Sequence, residues 1–360
     1  MNKNITLSIL ISGFLLITGC GSGSSNPDDI SLKVLSDLNI TQSTDNMTEA
    51  TAEDMVLAKN GKTLYIADGS AGLKIVDVSI SDKPKLIASY DDPSDADTNK
   101  GGFARRITIS HNGETVFIAD GLAGLKIIDV KDPRKPLLLG KLDTAGFSHG
   151  IAVSSDDKTV YIADNGEDGG APGLRVIDVT DLNNPALLKE RDEQWATQVA
   201  LSPDNKIAYI TDKKAGILAI DIDTMSTLGK FPITDKGISA DIVISTDGKK
   251  AYVANKKTGI KILDISDPAH IKLLSKFDTD GFNGKSIAKS IALSKDGTKL
   301  YVANRQTGVE VIDVKDSLKP KLLTTLTTTD IAEDVLPSLD DTKLYVANGK
   351  AGLEIIEILQ

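Results

Sequence analysis

Apolar and polar positions along the chain follow one scheme, clearest in TVFIADGLAGLKIIDV, Thr115 to Val130. Two short apolar runs, rich in β-branched and aromatic residues, flank a turn containing Asp120, Gly121 and Gly124. Runs of that length, broken by Gly and Asp, read as strands rather than helices. The scheme recurs seven times, each copy marked by an aromatic: Tyr65, Phe117, Tyr161, Tyr209, Tyr252, Tyr301 and Tyr345. Successive copies stand 43 to 52 residues apart, the step of propeller blades with about four strands each. The predicted fold is all-β: a seven-bladed β-propeller of four-stranded antiparallel blades.

Each unit opens on an inner strand (RITIS, IAVSS, VALSP, IVIST, IALSK) that ends in a turn such as HNGE, TDGK or KDGT. Asn-Gly and Asp-Gly supply the positive φ that a two-residue hairpin needs. The second strand leads to a glycine in every copy: Gly72, Gly124, Gly173, Gly216, Gly259, Gly308 and Gly352. Glycine in all seven copies points to a backbone conformation that a Cβ obstructs. The third strand ends on Asp77, Asp129, Asp178, Asp221, Asp264, Asp313 or Glu357, and Pro84, Pro136, Pro185 and Pro320 open outer strands. An edge strand tolerates proline because its outward N–H has no ladder partner. The fourth unit lacks that proline and is shortened (DIDTMSTLGKF), so its outer strand is predicted to be the least regular.

The third strands LKIVD, LKIID, LRVID, IKILD, VEVID and LEIIE resemble those of the LVIVD-repeat family, and the second strands YVAN and YIAD are similar to YVTN-type propellers. The resemblance covers nearly all of the chain past residue 50. It implies a β-propeller on a bacterial or archaeal cell surface. Such a motif specifies fold strongly and function hardly at all.

Residues 1–20 read as a targeting segment: Lys3, an apolar run from Ile5 to Ile17, then Ile17-Thr18-Gly19-Cys20. The run is too short for a stable membrane span. Its end resembles a bacterial lipobox, which implies lipidation of Cys20. With Gly21 after the cysteine, the same resemblance implies an outer membrane lipoprotein, facing the periplasm or the cell surface. Residues 21–30 form a flexible polar tether, and the propeller spans 31–360. Within it, 31–39 matches the outer strands elsewhere, while the last unit stops at Gln360 without a fourth strand. Residues 32–38 are therefore expected to pair with 353–358 and close the ring, protecting both edges.

The 360 residues, 40% hydrophobic and 26% charged, suit one ring without remainder. A net charge of −10 argues against nucleic acid, whose phosphates demand a basic face. Much of the acidity falls at equivalent turn positions, where side-chain oxygens hold the backbone. Cys20 is the sole cysteine, which excludes disulfides and thiolate metal sites within the fold. Asp95, Asp97 and Asn99 have the alternate spacing that opens a calcium loop. Lys100 and Arg106, however, stand where the turn glycine and the bidentate Glu belong, so no metal site is assigned. No phosphate loop, zinc or nucleophile-elbow motif occurs. No catalytic residue and no cofactor are assigned, and a monomer is expected.

Two columns at the starts of the inner strands change chemical type from unit to unit. The first holds Glu53, Arg105, His149, Thr197, Ala240, Lys289 and Glu333; the second holds Asp54, Arg106, Gly150, Gln198, Asp241, Ser290 and Asp334. Phe103, Phe147 and Trp195 precede three of these starts. The candidate ligand site at the channel mouth is thus Phe103, Arg105, Arg106, Phe147, His149, Trp195, Gln198, Lys289, Glu53 and Glu333. Aromatic and Arg side chains anchor partners well, and two arginines favour an anionic group. The bland alternative is that Glu53 and Glu333 merely neutralise Arg105 and Lys289. The sequence supports a non-enzymatic, lipid-anchored binding or scaffolding module for an envelope or extracellular protein, or for a small anionic ligand. A hydrolase or lyase at the channel mouth is the second reading, and a calcium-stabilised adhesion protein, resting on the Asp-rich loops, is the third.

Overall fold

The computed structural model describes residues 30–40, 50–92, 102–144, 146–166, 171–192, 195–234, 238–279 and 287–359. The segment 1–20 with Cys20, the tether up to residue 29, and Asp95, Asp97 and Asn99 lie outside the described residues. Among those described, regular structure is β throughout, and no helix is long and apolar enough to cross a membrane.

The strands form antiparallel four-stranded units. The first runs Asp54–Leu57, Thr63–Ala67, Leu73–Asp77, Lys85–Tyr90, each strand paired with the next. Five sheets contain four strands each. The sixth contains eight, because the second and third units are joined through the single pair Ser148↔Gly121. Ser31–Leu38 pairs antiparallel with Leu353–Leu359, in register from Ser31↔Leu359 to Leu38↔Leu353. Ile30, placed by the sequence in the tether, packs against the core beside Leu32.

The second strand of each unit lies between the first and third and is buried on both faces. Its seven aromatics are all at most 4% exposed. Apolar residues of consecutive units interleave to form the cores, as where Tyr65 and Ile75 meet Ile107, Val116 and Ile128. The last unit packs on the first in the same manner: Tyr345, Leu353 and Ile355 share a cluster with Leu64, Ile66 and Val76.

The repeated glycine has a definite cause. At Gly124, φ is +77°, and a Cβ would stand 2.2 Å from the Leu142 carbonyl oxygen that ends the outer strand. At Gly352 the carbonyl that a Cβ would meet, at 2.5 Å, belongs to Leu38 of the N-terminal strand. The inner hairpins differ from the two-residue expectation. Ser110 N donates to Thr115 O across a four-residue loop. The Ser110 hydroxyl accepts from Thr115 N and donates to Asn112 Oδ1, so a side chain spans the gap. The outer strand of the fourth unit, Thr227–Phe231, has only five residues. The acidic turn positions do hold backbone: Asp77, Asp129, Asp178, Asp264 and Asp313 each accept from an N–H two residues on.

Candidate functional site

Strand alternation should send neighbours such as Arg105 and Arg106 to opposite faces. A register shift interrupts it. Pairing slips between Gly102 and Arg106, Ser148 and Gly150, Ala196 and Gln198, Ser239 and Asp241, and Ala288 and Ser290. A bulge of this kind re-aims the extra residue, which is His149, Thr197, Ala240 or Lys289; in the second unit three residues, Phe103 to Arg105, lie between the paired Gly102 and Arg106. Two tiers of polar side chains result.

In the upper tier, ion pairs run in alternating sign. Arg305 Nη2 meets Glu333 Oε1, Lys289 Nζ lies 3.1 Å from Glu333 and 3.8 Å from Glu53, and Arg105 Nη1 lies 3.5 Å from Glu53. Three cations thus face two carboxylates. Burial raises the Glu333 carboxyl, but Lys289 and Arg305 outweigh it and hold the group below its ordinary range. The Arg105 guanidinium stacks 4.3 Å from the Phe103 ring centroid and 5.4 Å from that of Phe147. Glycines seat these rings: a Cβ at Gly69 would stand 3.0 Å from Phe103, and one at Gly121 would stand 3.2 Å from Phe147. His149 Nδ1 lies 2.8 Å from Thr197 O. A carbonyl only accepts, so Nδ1 carries the hydrogen and Nε2 keeps its lone pair. Burial, reinforced by Lys289, Arg106 and Arg105, pushes this imidazole well below its usual range, and the ring is neutral. Trp195 makes its own cation–π contacts, with Lys214 at 5.0 Å and Lys213 at 5.5 Å.

The lower tier is buried. Arg106 Nη1 donates to Asp54 Oδ1 at 2.9 Å, and its Nη2 stands 3.9 Å from Asp241 Oδ1. Gln198 Nε2 donates to Asp241 at 3.1 Å. The Ser290 hydroxyl is within reach of Asp241 (2.9 Å) and Asp334 (2.5 Å). Each carboxylate also accepts a backbone N–H from the following unit's first strand: Asp54 from Ile107, Asp241 from Ile291, Asp334 from Met55. Gly150 leaves room that Gln198 fills, since a Cβ there would stand 2.5 Å from Gln198 Oε1. Burial drives Asp54 up to about 8 against the pull of Arg106, and burial raises Asp334 as well. Beneath this tier a cavity of about 190 Å³ continues past Thr108, Val243, Ala292 and Leu336.

Of the residues singled out from sequence, Glu53, Arg105, Lys289 and Glu333 form one ion-pair chain, with Phe103 and Phe147 behind Arg105. Arg106 and Gln198 belong to the tier beneath, so the two adjacent arginines do not grip one group together. Arg305 was missed. Its signal was a lone arginine in a turn column that otherwise reads Gly69, Gly121, Asn165, Lys213, Lys256 and Gly349. A further buried set was also missed, at the ends of the second strands. Asp68 pairs with Lys74 at 4.0 Å, Asp120 with Lys126, and Asp164 with Arg175 at 3.4 Å. Where the third strand carries Glu instead, the partner is amide: Asn304 donates to Glu310 and Asn348 to Glu354, each at 2.9 Å. The charged residue inside LKIVD, LRVID or VEVID was the available sign. Among the described residues, no group of three or more His, Cys, Asp and Glu could hold a metal ion.

Sheets of this kind, repeated and packed face to face, define a β-propeller-like protein. Within it the chain carries LVIVD repeats: the model of that repeat matches residues 55–92, 101–144 and 236–279. A solved structure of Kuenenia stuttgartiensis hydrazine synthase is similar in fold, with a TM-score of 0.70 at 18% identity, covering 88% of this chain and 98% of that one. At that identity the likeness concerns fold alone. No curated protein matches the sequence.

Proposed function

We propose that the protein is a lipid-anchored, seven-bladed β-propeller that binds an envelope partner, or a small anionic ligand, at the channel mouth without chemical turnover. Closure of the ring is supported by the Ser31–Leu38 pairing, by the core shared between the last and first units, and by the Asp334–Met55 hydrogen bond. The observation that carries the binding reading is the Arg105–Glu53–Lys289–Glu333–Arg305 chain, with one cation in excess and Arg105 stacked on two phenylalanines. On a protein of net charge −10, that local surplus favours an anionic group. The lipobox-like ILE-THR-GLY-CYS ending at Cys20 supports the anchor.

Arg105→Glu reverses the surplus without entering the buried tier. A wild-type protein that co-purifies a partner from detergent-solubilised envelopes should lose it in this variant, while the variant stays folded by circular dichroism. Retention of every partner would refute the mouth as the site. Separately, Cys20→Ser should leave a soluble protein; membrane association persisting after a high-salt wash would overturn lipid anchoring.

A second reading rests on His149. A neutral imidazole whose Nε2 keeps its lone pair, near Lys289 and Arg105, can orient an attacking water by accepting its hydrogen bond, beside cations that stabilise an oxyanion. Hydrolysis of an ester or lactone panel, lost in His149→Gln, would favour it.

A further inference from the structure

The lower tier and the cavity beneath it form a second candidate site, distinct from the mouth. Asp54, Asp241 and Asp334 set three acidic side chains against the single guanidinium of Arg106, all of them buried; burial keeps a proton on Asp54, which leaves Asp241 and Asp334 facing the one cation. Arg106 Nη2 has no hydrogen-bond partner, although its side chain is only 5% exposed. A buried guanidinium nitrogen whose nearest carboxylate oxygen is 3.9 Å away calls for a closer acceptor, and surplus buried carboxylate calls for a cation. Both demands arise at the head of one cavity.

The walls are of the opposite character. Below the charged head, Val243, Ala292 and Leu336 line the cavity with Thr108, and all four are part-exposed while the tier above them is buried. The cavity is therefore reached from the end of the strands away from the mouth. At about 30 Å³ for each water-sized group, 190 Å³ accommodates on the order of six such groups, room for a short amino acid whose bonded atoms lie closer together than separate waters. A bare metal ion is a poor match, because no described group of acidic or imidazole side chains could hold one and Arg106 would repel it. A simple anion would face the carboxylates of Asp241 and Asp334.

We propose that this cavity binds a short aliphatic α-amino acid. Its carboxylate would accept from Arg106 Nη2, its ammonium would donate to Asp241 and Asp334, and its side chain would lie against Val243, Ala292 and Leu336. The zwitterionic head answers both unsatisfied signs, and the apolar wall selects the side chain. The assignment does not depend on the mouth.

Calorimetric titration of the purified full-length protein tests it, using L-valine, isobutylamine and isovalerate as probes. The last two each lack one charged group of valine. Valine should bind at least tenfold more tightly than either. Ala292→Leu fills the wall without touching the charged tier and should weaken valine binding at least tenfold at unchanged melting temperature, while Arg105→Glu should leave it intact. Absence of valine binding to the wild type overturns the proposal. So does equal affinity for isobutylamine, or valine binding that survives Ala292→Leu. Should Ala292→Leu fail to fold, the three-probe comparison on the wild type decides alone.

Discussion

Asp334 accepts a 3.0 Å hydrogen bond from the backbone N–H of Met55, which lies 279 positions earlier in the chain. The same carboxyl group also meets the Ser290 hydroxyl, so one side chain ties the last unit to both of its neighbours. Replacing it by alanine strands the buried Met55 N–H, whereas the Ser290 hydroxyl keeps Asp241 as its acceptor. Asp334→Ala should lower stability by about 1–3 kcal/mol for the orphaned donor, and Asp334→Asn by less, measured by urea unfolding. Equal stability of Asp334→Ala and the wild type would show that this link contributes nothing.

Two glycines with similar φ separate conformational cost from steric cost. Gly297, at +69°, has nothing within 4 Å of a built Cβ, whereas Gly124, at +77°, has the Leu142 oxygen at 2.2 Å. Gly297→Ala should cost only the left-handed backbone penalty, about 1–2 kcal/mol. Gly124→Ala should cost that and more, because the end of the outer strand must move. Thermal denaturation of the two variants gives the order directly.

The pairing of Asp with Lys and of Asn with Glu can be exchanged between units. Asn304→Asp would put two carboxylates together in the buried place where Asn304 now donates to Glu310. It should destabilise the protein strongly at pH 8. Adding Glu310→Lys should recover much of the loss, recreating the Asp68–Lys74 arrangement of the first unit. A double-mutant cycle with no coupling would refute the exchange rule.

Burial raises Asp54 to about 8, and Asp68, Asp164 and Glu310 to about 7. The folded state therefore keeps protons that the unfolded chain has already lost. Stability from these groups is greatest at acidic pH and falls as pH rises from the ordinary carboxylate range through 7 to 8. Asp296 and Asp340, held near 2 by Ser294 and Ser338, act oppositely, and their contribution is lost only as pH falls toward 2. The melting temperature should decline between pH 5 and 9, and Glu310→Gln should flatten the slope. A melting temperature rising over that interval would contradict these shifts.

Strand content, four-strand grouping, the glycine column and the backbone-holding aspartates were legible in the sequence, because each follows from interactions within one repeat. Polar alternation at the inner-strand starts was legible too, and it marked the columns where chemistry varies. The sequence could not say that Arg105 and Arg106 part company, since only a bulge against the neighbouring strand decides which way each side chain turns. Nor could it show that Val34, an apolar position of the N-terminal strand, is 40% exposed while Leu35 and Leu38 pack inward. Partners such as Arg106 and Asp241, or Arg305 and Glu333, meet only when separate units pack together. Periodicity is a property of neighbours along the chain; who faces whom across a central cavity depends on the packing of whole units, and tertiary structure alone settles that.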